Sequence, residues 1–78
     1  MSYKEKILIR FAERLIKLRK EKGMSIRQLA AAADLEYSQV QRIEKAKVNF
    51  AFSTLIALAQ GLDLEVEDLV KDLKIPKW

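Results

Sequence analysis

Leu8, Phe11, Leu15 and Leu18 recur at spacings of three and four residues, with Glu5, Glu13, Lys17 and Lys20 mostly off that line. A single apolar stripe of this period predicts an amphipathic helix over about 4–22. Gly23 follows, a residue that tolerates the left-handed backbone closing many helices. Ser25-Ile26-Arg27-Gln28 then has the form of a capping box, and Ile26, Leu29, Ala30 and Ala33 supply the inner face of a second helix, 26–33. Asp34-Leu35-Glu36 is a turn. A third helix, about 37–45, keeps only Val40 and Ile43 for burial, with Leu35 packing from the turn. Leu55, Leu58 and Ala59 face inward on a fourth, about 52–60, with Gly61 as its stop. A fifth, about 66–73, opens on Glu67 and Asp68, as the helix dipole favours. The pattern contains no strand signal, so the fold class expected is all-α: a compact domain of five helices over 1–78.

The second and third helices differ in kind. QLAAAADLEYSQVQRIEKAK (28–47) joins a small-residue helix, which lets a neighbour approach closely, to a helix whose outer side is mostly hydrogen-bonding groups. Two short helices joined by a three-residue turn make a helix-turn-helix. One stripe holds its second helix to the core. The polar face left over suits the major groove, where such groups reach base edges.

Composition narrows the chemistry. Half the residues are apolar and a third charged, with two Gly and one Pro, the profile of an ordered helical globule. With neither Cys nor His there can be no disulfide, no zinc site of the usual ligands and no histidine acid–base system. No phosphate-cradling glycine loop is present either, so an enzyme is not expected, nor any cofactor, metal or small-molecule ligand. Asp63, Glu65, Glu67 and Asp68 more simply start a helix. No apolar run approaches the ~20 residues that span a bilayer. A soluble, cytoplasmic protein is expected, with no membrane partner. Net charge is +4, and it is uneven: residues 1–22 carry eight Lys/Arg against three Glu, whereas 51–78 carry three against five acids. A basic front and an acidic back orient a molecule toward a polyanion.

FAERLIKLRKEKGMSIRQLA (11–30), DLEYSQVQRIEKAK (34–47) and STLIALAQGLDLEVEDL (53–69) resemble, in this order, the Cro/CI-repressor family of helix-turn-helix proteins, lambda repressor-like or XRE-type. The resemblance implies a lambda-repressor-like DNA-binding domain acting on double-stranded DNA, in a bacterial or phage-encoded, nucleoid-associated protein. It implies base contacts from Tyr37, Ser38, Gln41 and Arg42. Phosphate contacts are implied for Ser25, the Ile26 amide, Arg27, Gln28, Gln39, Lys45, Lys47 and Asn49. Arg19 and Glu44 are implied to be a structural salt bridge between the first and third helices. Three positions depart from the family pattern. Asp34 stands where a glycine begins the turn, Glu36 where Ser or Thr caps the third helix, and Glu44-Lys45-Ala46 lacks the glycine that follows it. Asp tolerates the left-handed region less well, and Glu36 is a poorer cap whose charge opposes phosphate.

Phe50, Phe52, Ile56, Val66 and Val70 exceed what a core of this size needs. They are either extra core or a twofold homodimer contact, which would set two recognition helices ~34 Å apart for a palindromic operator. Ile7, Ile9, Ile16 and Trp78 are candidates for a lid joining the termini. The reading favoured is a transcriptional regulator of repressor or controller type. Because the chain ends soon after the fifth helix, neither a sensor domain nor an extended toxin-binding tail is expected. The alternative is a protein-interaction module, such as an antitoxin component, acting through the acidic fifth helix (Glu65, Glu67, Asp68, Asp72).

Overall fold

A computed structural model describes residues 2–74 of the chain; Trp78, offered above as part of a lid, lies outside them. Five helices follow in order: α1 (Tyr3–Glu21), α2 (Ile26–Ala33), α3 (Tyr37–Glu44), α4 (Phe52–Gly61) and α5 (Val66–Val70). The described residues contain no strand. α2 packs against both α3 and α4, and α1 against α3 and α5. At the centre, Leu15, Leu29, Val40, Ile43, Leu58, Leu62 and Leu69 are sealed from solvent. Burying each of these side chains contributes about 1.5–3 kcal/mol before chain entropy is counted. On α1 the stripe is Phe11, Leu15 and Leu18, with Leu8 only half-buried. Ile7, Ile9 and Ile16 are half-buried too.

The first four helices end in the same hydrogen-bonded closure. After α1, Met24 N–H donates to the Arg19 carbonyl and Gly23 N–H to Lys20, with Gly23 at φ 70°. Leu35 and Asp34 repeat the arrangement on Ala30 and Ala31, Lys47 and Ala46 on Arg42 and Ile43, and Leu64 and Asp63 on Ala59 and Gln60. Only α1 closes through a glycine. Asp34, Ala46 and Asp63 take the left-handed conformation at φ 57° despite their Cβ atoms. Leu35 and Leu64, one residue beyond Asp34 and Asp63, pack onto the core, and that burial offsets the backbone cost.

Gly61 is not the stop of α4. It is the helix's last residue, and the left-handed position falls at Asp63. A Cβ on Gly61 would stand 2.9 Å from Ala33 Cβ and 3.0 Å from the Ala33 nitrogen, so glycine is there to let α2 and α4 touch.

The fifth helix is also shorter than its pattern, ending at Val70 rather than near 73. In a continuing helix the Asp68 carbonyl would accept from Asp72; here Arg14 Nε of α1 donates to it at 3.0 Å. Lys71 turns extended, and Asp72 enters the left-handed region at φ 60°. Leu73 still reaches the core from this turn.

Candidate nucleic-acid interface

α3 is an eight-residue helix fixed along one side by Val40 and Ile43, which have 0% and 1% of their surface exposed. Its far end is clamped by a buried ion pair. Arg19 Nε donates to Glu44 Oε2 at 2.6 Å and Arg19 Nη2 to Glu44 Oε1 at 3.0 Å, while Nη1 donates to the Met24 carbonyl at 2.8 Å. Both side chains are nearly enclosed, and among the described residues no buried side-chain polar atom lacks a partner. A two-pronged guanidinium–carboxylate contact fixes orientation as well as distance. α3 is therefore a rod held from one side and one end.

The other side faces out. Tyr37, Ser38 and Arg42 are exposed, and Gln39 and Gln41 are half-buried. Two open grooves border the start of the helix. One, of about 370 Å³, brings Ser25, Ile26 and Arg27 of the α2 start beside Tyr37. There the Arg27 guanidinium lies 4.7 Å above the Tyr37 ring centroid, a cation–π contact linking the two helices. The second groove, of about 380 Å³, has Ser38, Gln39 and Arg42 on one wall and Asn49, Phe50, Ala51 and Thr54 on the other. Gln28, Lys45 and Lys47 are exposed but line neither groove, and neither does Gln41.

The α2 start is hydrogen-bonded within itself. Gln28 N–H donates to Ser25 Oγ at 3.0 Å, and Ser25 N–H donates to Gln28 Oε1 at 2.8 Å. The amides of Ile26 and Arg27 lie between these bonds in the helix's first turn, where backbone donors point outward and attract anions. α3 begins differently. Glu36 is extended and makes no side-chain cap bond, and it lines the same groove as Arg42. Beyond α3, Ala46 in the left-handed region turns the chain sharply, and Lys47, Val48 and Asn49 follow toward the second groove.

Ala51 and Thr54 were not singled out from the sequence. Thr54 is buried at the groove wall, yet in the α4 pattern it reads as one more small helix residue. The apolar excess divides. Phe50 is half-buried, its ring 5.1 Å from that of Phe11, and Val66 also packs on the core. Phe52 is 73% exposed and Val70 43%, whereas Ile56 is half-buried. Phe52 and Ile56 share one face of α4 by their spacing, as Val66 and Val70 do on α5. None of the described helices is long and apolar enough to cross a membrane, and no described group of acidic residues could hold a metal.

Known proteins resemble this chain in both sequence and shape. A family model described as helix-turn-helix matches residues 15–69. Control protein C.MunI of Mycoplasma sp is 36% identical over 69 residues, covering 87% of this chain and 93% of that protein. The HTH-type transcriptional regulator DdrOP3 of Deinococcus deserti is 29% identical over 66 residues, 85% of this chain; the chain spans only about half of that regulator, 51%. Among solved structures, the restriction-modification controller protein C.AhdI from Aeromonas hydrophila aligns at TM-score 0.77 with 35% identity, over 80% of this chain and 94% of its own. The wild-type controller C.Esp1396I aligns at TM-score 0.80 with 25% identity, over 86% and 88%.

Proposed function

Since the chain belongs to the XRE-type helix-turn-helix family, we propose that it is a sequence-specific DNA-binding transcriptional regulator of repressor or controller type, with α3 in the major groove of a palindromic operator bound by a homodimer. The observation carrying this reading is the presentation of α3: one side buried, one end clamped, and Tyr37, Ser38 and Arg42 exposed between two grooves. Arg42 and Gln41 carry the bidentate donor and acceptor sets that read guanine and adenine edges. Tyr37 and Ser38 add contacts at the helix start. The Ser25–Gln28 segment receives a phosphate on the Ile26 and Arg27 amides, with Arg27 supplying charge. Gln39, Lys45, Lys47 and Asn49 hold the flanking backbone, which positions the protein without reading sequence. Twofold pairing through Phe52, Ile56 and Val70, with Val66 and Phe50 behind them, covers the largest exposed apolar groups.

Selection from random duplexes followed by gel shift tests the reading. A preferred palindrome is expected, with binding that weakens steeply as salt rises. Arg42→Ala should cost about 1–3 kcal/mol and relax preference at one base position. Lys47→Ala should weaken all sequences alike. Equal losses on every sequence from Arg42→Ala would remove it from base reading. Phe52→Lys should shift sedimentation toward the monomer and weaken operator binding; an unchanged dimer would move the interface elsewhere.

A further inference from the structure

On the other flank of α1 lies a second charged surface that the DNA reading does not use. Arg10, Arg14 and Lys17 follow one another at spacings of four and three, and Lys71 and Lys74 stand across from them beyond α5. Together they line an open groove of about 460 Å³. At about 3.6 residues per turn, Arg10 and Lys17 sit roughly opposite Arg19 around the helix axis. Arg19 is the residue that grips α3. The groove therefore opens away from the recognition helix.

Its two arginines are held in place. Arg14 Nε donates to the Asp68 carbonyl at 3.0 Å, and an Arg10 terminal nitrogen donates to the Lys74 carbonyl. Each guanidinium is thus anchored by one nitrogen and keeps its remaining donors for another partner. Among the described residues, none of the five cations forms an ion pair. Glu13 and Asp72 line the same groove without neutralising them.

We propose that this groove docks an acidic peptide segment of a partner protein, its carboxylates taken by Arg10, Arg14 and Lys17. Anchored arginine forks match carboxylates in two-point contacts. A nucleic-acid strand carries a phosphate at every step and would meet Glu13 and Asp72; a peptide can set a neutral or basic residue opposite each. The proposal rests on the regulator reading only for its consequence. With α3 covered by DNA, the groove stays open, so the bound protein can recruit its partner.

A fluorescein-labelled peptide of alternating glutamate and serine is the probe, read by anisotropy and by amide shifts of the whole chain. Shifts clustered at 10–17 and 71–74 are expected. Lys17→Glu with Lys71→Glu should weaken the peptide at least about tenfold and leave duplex binding within about twofold. The matched reversal Lys45→Glu with Lys47→Glu should do the opposite. Absence of peptide binding, shifts centred on 37–49, or equal losses from both double variants would overturn the proposal. So would displacement of the peptide by oligothymidylate from the same residues. The shift map uses the unaltered chain, so it stands even if a variant fails to fold. Failure of the unaltered chain to bind any duplex would remove the regulator reading and leave this test intact.

Discussion

α2 and α3 are eight residues each, and each closes through a left-handed residue that is not glycine, Asp34 and Ala46. They differ at their starts and in what holds them. α2 completes a reciprocal capping box, Ser25 with Gln28, and its last residue, Ala33, is pressed against Gly61 of α4. α3 begins at Glu36 with no side-chain cap and is fixed at its other end by the Arg19–Glu44 pair. Satisfying α2 internally makes it a support, whereas anchoring α3 from behind leaves its first turn, uncapped, to an outside partner.

The largest effect is expected at the α3 anchor. Glu44→Ala leaves the Arg19 charge enclosed, and urea unfolding should show a loss of about 3–5 kcal/mol. A loss below about 1 kcal/mol, typical of a surface pair, would show that the clamp does not hold α3. The α2 support comes next. Gly61→Ala puts a methyl into Ala33 and should cost about 1–3 kcal/mol in urea unfolding. A neutral result would mean that the two helices part freely.

Exchanging the caps sharpens the contrast. Ser25→Ala should cost about 1 kcal/mol and weaken operator binding, because the α2 start loses its order. Glu36→Ser should add about 0.5 kcal/mol, the cap bond gained less the dipole interaction of the lost carboxylate, and should strengthen DNA binding by removing a negative charge from the groove that Arg42 lines. If Glu36→Ser weakens binding, the carboxylate is itself a contact. The smallest effect is expected at Ala46→Gly. Relief of the left-handed Cβ, less the entropy of glycine, should leave a gain of about 0.5 kcal/mol in thermal unfolding.

Much of this was legible because it is local. The capping box at Ser25, the closure at Gly23 and the apolar stripes of α1 and α3 each depend on residues within a turn or two. What escaped is tertiary. Gly61 reads as a stop until Ala33, far away in the chain, is seen against it. α5 reads as longer until Arg14, 54 residues earlier, takes the Asp68 carbonyl. Asp34 and Ala46 look like defects in a family pattern, yet the backbone takes the left-handed turn at both. At the candidate interface, the outward residues of α3 follow from its period. The contact between Arg27 and Tyr37 and the groove wall at Thr54 do not, because both depend on how neighbouring elements meet.

Dimethyl sulfate protection on a selected operator reads the placement of α3, because it reports guanine N7 in the major groove. Protected guanines are expected in two half-sites about one helical turn apart, with one protection lost from each half-site in Arg42→Ala. Bound DNA with every guanine N7 still reactive, or a pattern untouched by Arg42→Ala, would contradict that placement.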